Sequence, residues 1–227
     1  MKEIPAAACA LADRLGANPQ LGPAVVHLSQ TGRMRQGPDA SWMWFRAKQS
    51  ISTVECQFDW RARIGPGGLV RVRDALIEGE GRLDAKLLGI VPLAHAGGTP
   101  EAKRGELMRY LAELPWAPDA ILHNPGLRWR EEAVDRLVVS IDAGEGAASV
   151  TLGLDGDGRI ASTYAPDRPR AVGHAFVPTP WQGRFFDYRL HEGRWLPFRG
   201  EVGWLLHGAN VVCWEGLITS WHVASAD

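Results

Sequence analysis

The sequence predicts a mainly β protein of the α+β class, a single curved, mostly antiparallel sheet with a helical insert against its concave face. Three observations lead there. From Val25 onward, apolar residues recur with a period of two, the mark of half-buried strands. Glycine-rich breaks separate these runs at hairpin spacing. Between Thr99 and Leu122 the period changes to that of a helix, and strand patterning then returns.

The elements follow in order. The N-terminal segment, residues 1–20, is helical in expectation: an Ala-rich stretch over 5–16 closed by Gly16. Cys56, Phe58, Trp60, Ala62 and Ile64 then alternate with Glu55, Gln57, Asp59, Arg61 and Arg63, which describes a strand with one wet face. Gly65-Pro66-Gly67-Gly68 makes a turn, and strand patterning resumes over Leu69–Glu78 and Gly81–Leu88. In the insert, residues 99–122, Thr99 suits the N-cap and Pro100 the first helical position. Leu107, Leu111 and Leu114 form its docking stripe, and Pro115 ends the helix. Short strands are expected at Arg136–Asp142, Ser149–Asp155 and Arg159–Tyr164, with Asp155-Gly156-Asp157-Gly158 as a hairpin turn. Longer ones follow near 181–190, 195–206 and 211–223. About ten strands at this spacing make a sheet that curls and must bury one face, and no linker divides the chain, so residues 1–227 read as one domain.

Composition narrows function. With 227 residues, 45% of them hydrophobic, the chain can bury a sizeable core. A net charge of −1 and a pI near 6.7 lack the basic excess of a nucleic-acid binder. Arg61, Arg63, Arg71 and Arg73 cluster locally but alternate with apolar residues, as a solvated strand face does. Cys9, Cys56 and Cys213 show no paired spacing, and the seven histidines form no ligand motif; neither a disulfide nor a metal or other cofactor is expected. No run reaches the roughly 18 apolar residues of a membrane span, and the N-terminus, interrupted by Asp13 and Arg14, makes a poor signal peptide. A cytoplasmic location is the resulting expectation.

The insert also carries the candidate site. At 100° per residue, Glu106, Arg109, Tyr110 and Glu113 share about one third of the helix circumference beside the leucine stripe. Two readings stand. The four could enter a cavity between helix and sheet, with Trp116 and Trp129 at its edge, where they would orient a polar head or act as acid and base. Or they could form a solvated face on which Arg109 and Glu113 make an ordinary i,i+4 ion pair. His95 and His123 flank the insert as weaker candidates, and Arg184, Asp187 and Tyr188 read first as cross-strand partners.

Several sequence blocks resemble a bacterial family of unknown function, domain six-five-four-four. They are Gly32-Arg33-Met34-Arg35, Trp42 and Phe45-Arg46-Ala47, then Gly105 to Glu113, Trp116, Pro118, Ala120-Ile121-Leu122 and Leu127-Arg128-Trp129. Pro180-Trp181, Gly183 to Tyr188, Arg199-Gly200-Glu201 and Trp204 complete the set, which extends from about Val25 to Val223. The resemblance implies an open half-barrel similar to the LolA-type lipoprotein carriers, with helices against the concave face, and it implies no activity.

The function expected is binding of a small hydrophobic or amphipathic molecule between sheet and insert, without nucleic acid. One alternative is a hydrolase- or isomerase-type enzyme using Glu106 or Glu113 as base and Arg109 or Tyr110 to stabilise negative charge. The other is an interaction module docking a protein on Trp-bearing strand edges.

Overall fold

The computed structural model describes residues 4–88, 91–144, 146–173 and 175–226, and the backbone alone of 91–96. Thirteen strands form one sheet. The first meander comprises β1 (Ala24–Met34), β2 (Met43–Ser52), β3 (Phe58–Ile64), β4 (Val70–Ile77), β5 (Glu80–Leu87) and β6 (Val91–Gly97). The second comprises β7 (Arg128–Ala133), β8 (Arg136–Asp142), β9 (Ala147–Leu154), β10 (Ile160–Val172), β11 (Ala175–His191), β12 (Arg194–Leu206) and β13 (Ala209–Ser225). Their order is β6-β5-β4-β3-β2-β1-β13-β12-β11-β10-β9-β8-β7, with antiparallel pairing between neighbours. The two meanders join at β1–β13, and β6 does not pair with β7, so the sheet is curved but open.

This order explains the insert. After β6 the chain stands at one edge of the sheet, and its next strand lies at the other. Residues 98–127 must therefore cross the open side, and the residues that cross it become the cover. They form α2 (Pro100–Ala112), a 3-10 turn at Leu114–Trp116 and α3 (Ala120–His123). The hydroxyl of Thr99 accepts from the Ala102 amide, as an N-cap should. α2 packs against β8, β9 and β10 on one side and β4, β5 and β6 on the other. Leu107, Met108, Leu111 and Leu114 are buried there.

Thirteen strands replace the ten or so expected. The strands without a clear sequence signal are the two edges: β6, and β7, where Arg128, Glu131 and Glu132 lie exposed. An edge strand with little buried surface carries no alternation to read. Trp129, expected at the edge of a cavity between helix and sheet, belongs to β7.

The inner face is shaped at its centre by glycines. Gly32, Gly216 and Gly200 lie opposite one another on β1, β13 and β12. A Cβ at Gly216 would stand 2.2 Å from the Trp214 ring, and one at Gly200 would stand 3.2 Å from the Trp116 ring. The missing side chains let both indoles lie flat on the sheet. Trp116, Trp214, Phe185 and Phe45 then make a chain of ring contacts 5.3–6.2 Å apart. The Trp116 indole donates to Pro197 O at 2.8 Å, and the Trp221 indole donates to Trp116 O at 2.8 Å, which fixes the insert to the middle of the sheet.

α1 (Ala6–Leu15) buries Ala8, Leu11, Ala12 and Leu15 and packs on α3 and β12. Asp119, wholly buried, holds this corner. It accepts from Arg194 Nε at 2.9 Å, Arg194 Nη2 at 3.1 Å and the Asn18 amide at 2.7 Å. Among the described residues no helix is long and apolar enough to cross a membrane.

Breaking a buried ion pair from one side leaves the other charge uncompensated, at a cost of about 3–5 kcal/mol. Asp119→Ala should therefore lower the urea-unfolding free energy by about that amount, and Arg128→Ala, on the exposed edge, by about 0.5 kcal/mol or less. Equal effects would show that Asp119 does not anchor α1 and the insert to β12.

Candidate functional site

The stripe on α2 meets partners from both halves of the sheet. Arg109 Nε donates to Glu113 Oε1 at 2.8 Å, and Arg109 Nη1 donates to Asp74 Oδ2 on β4. The other Glu113 oxygen accepts from the Gln49 amide on β2. Gln30 on β1 donates to Gln49 Oε1 at 3.4 Å and accepts from the Trp60 indole at 2.7 Å. From the opposite half, Arg168 on β10 donates to Gly105 O at 3.3 Å and stands 3.9 Å from Glu106 Oε1. Each guanidinium lies on aromatic rings of its own side: Arg109 over Phe58 and Trp60, Arg168 over Trp181 and Trp204.

These five charged side chains are largely sheltered but not sealed, with 12–16% of each accessible. Two acceptors, Asp74 Oδ1 and Glu106 Oε2, are buried without a hydrogen-bond partner. Burial pushes the Glu106 carboxyl up to about 8, aided by the charge of Asp74 and opposed by Arg168 and Arg109. Burial opposes the charge of Arg109, but Glu113 and Asp74 outweigh it and hold the guanidinium above its ordinary value. Burial lowers Arg168, helped by the charge of Arg109 and opposed by Glu106 and Asp74. With Glu106 protonated, two carboxylates face two guanidiniums and the cluster is neutral as a whole.

The structure thus brings Glu106, Arg109 and Glu113 together on the sheet side of α2, and neither sequence reading described them fully. Arg109 and Glu113 do form the i,i+4 pair, but in a protein interior with Asp74 and Gln49. Tyr110 departs from the group. Its hydroxyl donates to Ser52 O at 2.9 Å and accepts from the Asn124 amide at 3.1 Å. One residue is 100° of helix, which turns this side chain away from the ion pairs and makes it a peg on the end of β2. Trp116 occupies the glycine floor, and Trp129, on the edge strand, joins none of the cluster's contacts among the described residues. His123 Nε2 donates to Asn18 O at 2.8 Å; the side chain of His95 lies outside the described residues. Arg184 pairs with Glu201 across β11 and β12 at 2.6 Å. No group of three metal-ligating side chains occurs among the described residues.

A concavity of about 1070 Å³ lies on the opposite face of the sheet, lined by residues such as Arg46, Arg63 and Arg71, whereas the sequence pointed to a cavity between insert and sheet. The inner space is occupied largely by Trp116, Trp214, Phe45 and Phe185.

Sequence reasoning missed Asp74, Gln30, Gln49 and Arg168. Three of them had left a signal. Val26, Leu28 and Gln30 share one strand parity, as do Phe45, Ala47, Gln49 and Ile51, and Val70, Val72, Asp74 and Leu76. A polar residue interrupting an apolar parity faces the core and needs a partner there. Arg168 follows an irregularity between Ala165 and Arg168, which erases its parity.

A family model described as a family of unknown function, DUF6544, matches residues 1–216. No curated protein matches the sequence. Among solved structures, a domain described as that of an outer membrane lipoprotein-sorting protein from Vibrio parahaemolyticus superposes with a TM-score of 0.51 at 11% identity, covering 97% of this chain and 92% of that one. A LolA superfamily protein from Nitrosomonas europaea gives 0.48 at 11% identity, with 97% and 94% covered. The fold is similar to that of the Vibrio domain, and the open, helix-covered sheet is that of the sequence expectation.

The raised Glu106 carboxyl has a pH consequence. Between about 4.5 and about 8 the folded protein keeps a proton that the unfolded chain has lost. Stability from this group is complete below about 4.5 and is lost as pH rises through about 8. Wild-type stability should fall across pH 5–8 relative to Glu106→Gln, by at most about 1.4 kcal/mol per pH unit. Parallel curves in urea unfolding would contradict the assignment.

Proposed function

The chain belongs to the DUF6544 family of unknown function, and we propose that it binds an amphipathic, acyl-bearing molecule between α2 and the inner face of its sheet. The observation that carries this reading is the pair of buried carboxyl oxygens without hydrogen-bond partners, Asp74 Oδ1 and Glu106 Oε2, beside an aromatic wall. A buried polar oxygen without a partner costs roughly 1–3 kcal/mol, which a ligand that supplies the partner recovers. A hydroxyl head group fits both, since it donates to Asp74 Oδ1 and accepts from the protonated Glu106 carboxyl. A free carboxylate has no hydrogen to give Asp74 and is disfavoured.

Phe45, Phe185, Trp116 and Trp214 offer the apolar surface for the chain of the ligand. Entry requires α2 to lift, and its connection to β6 passes through Gly98, whose φ of +70° lies in the region that favours glycine. The lipoprotein-sorting description of the Vibrio domain agrees with a carrier of acylated molecules.

The elevated Glu106 carboxyl favours a second reading, in which it serves as a general acid toward an ester of the same bound molecule.

One titration addresses both. A fluorescent monoacylglycerol should bind saturably and be displaced by monooleoylglycerol about tenfold better than by oleate, the value of one good hydrogen bond at ~1.4 kcal/mol. Asp74→Asn and Glu106→Gln should narrow that preference. Displacement by oleate as good as by monooleoylglycerol would overturn the donor-head assignment. Release of oleate from monooleoylglycerol during the experiment would favour catalysis.

A further inference from the structure

The outer face of β1–β5 carries a strongly basic array that the inner site does not use. Arg46, Arg63, Arg71 and Lys86 stand directly opposite one another on β2, β3, β4 and β5. At about 4.8 Å between strands, four cations fall within about 15 Å. Lys48, Arg61 and Arg73 form a second row two residues further along the same strands. Asp59 pairs with Arg61 at 2.7 Å and with Arg73 at 2.9 Å, so the second row is partly neutralised. The first row is not: among the described residues, none of its four cations has an ion-pair partner. Like charges directly opposite on neighbouring strands destabilise a sheet, and this row repeats that arrangement three times.

A second feature adjoins the same row. Two residues beyond Arg46 on β2 stands Trp44, 70% exposed. Two residues before Arg71 stands Leu69, 48% exposed, and two residues after Lys86 stands Leu88, 58% exposed. The Leu88 amide donates to Leu69 O at 2.7 Å and the Gly65 amide to Trp44 O at 2.8 Å, which brings these tips together at one end of the strands. Trp44, a strand residue, stands about 7 Å beyond Arg46. Leu69 and Leu88 lie just outside β4 and β5 at the same end, so exposed apolar tips border a row of cations that has no ion-pair partner among the described residues.

We propose that this end of the sheet docks on an anionic phospholipid bilayer, with Trp44, Leu69 and Leu88 entering the interfacial region and Arg46, Arg63, Arg71 and Lys86 at the phosphates. The depth matches: interfacial segments bury their apolar side about 5–10 Å into the boundary of head groups and acyl chains. Tryptophan is enriched at that level. A nucleic acid would satisfy the cations equally, but its phosphate surface gives two exposed leucines nothing to contact. Docking here is independent of what the inner face binds.

The full chain should sediment with phosphatidylcholine vesicles containing phosphatidylglycerol, and weakly or not at all with pure phosphatidylcholine. Salt near 1 M, where the screening length is about 3 Å, should release it. A cation near an anionic surface contributes ~1 kcal/mol, about fivefold in binding, so R63Q/R71Q should weaken association roughly 25-fold. Trp44→Ala should weaken it at unchanged charge, and R128Q/R130Q, on the exposed edge strand β7, should leave it unaltered. All of these side chains are largely exposed, and circular dichroism verifies the fold. Retention of monoacylglycerol binding by R63Q/R71Q separates this surface from the inner site. Indifference to phosphatidylglycerol, full binding by R63Q/R71Q, or tighter binding to an oligonucleotide than to anionic vesicles would each overturn the proposal.

Discussion

The structure depends on one constraint: a sheet that stays open must cover its inner face with the segment that connects its two edges. β6 and β7 are consecutive strands at opposite ends of a thirteen-stranded order. The connection has to cross the concave side, and a helix makes the crossing with its backbone satisfied. α2 then touches both halves at once, and the ion pairs on it tie them together: Asp74 and Gln49 from one side, Arg168 from the other. Ionic contacts here carry a desolvation cost that apolar residues would avoid. That cost, with two acceptors left without donors, is what distinguishes this stripe from an ordinary helix–sheet contact and makes it the place to look for a ligand.

The two faces of the sheet solve different problems. Inside, glycines opposite one another on three strands admit flat indoles, and the cluster sits among rings that shield its cations. Outside, β2–β5 present cations in register, and among the described residues no carboxylate pairs with the first row. A strand gives alternate residues to alternate faces, so a sequence such as Phe58-Asp-Trp-Arg-Ala-Arg-Ile64 encodes both surfaces in seven residues. The near-neutral net charge of the whole chain conceals this separation: Asp59 and Asp84 on this face stand beside the second row and not the first.

Much of the fold was legible in the sequence, for reasons that can be named. Strands with one buried face alternate, and β3, β4, β8 and β12 declared themselves in that way. The helix declared itself by its cap at Thr99, its leucines and Pro115. The edge strands β6 and β7 did not; β7 has little buried surface and so no period to read. Of the site, the α2 stripe was legible because a helix converts spacing into direction. Its partners lay on three different strands, and no local rule connects residue 109 with residues 49, 74 and 168.

The sequence by itself determined most of the secondary elements, the curled sheet and the helix face that meets it, because each follows from local periodicity and capping. Only the tertiary structure decided that β1 pairs with β13, that Tyr110 leaves the stripe to hold the end of β2, and that Gly200 and Gly216 make the floor on which Trp116 and Trp214 rest. It also decided that a solvated-looking row of arginines is a register of like charges across four strands. Pairing register brings distant residues to a few ångströms, and electrostatic and hydrogen-bonding energies depend on that distance, which spacing along a chain does not contain.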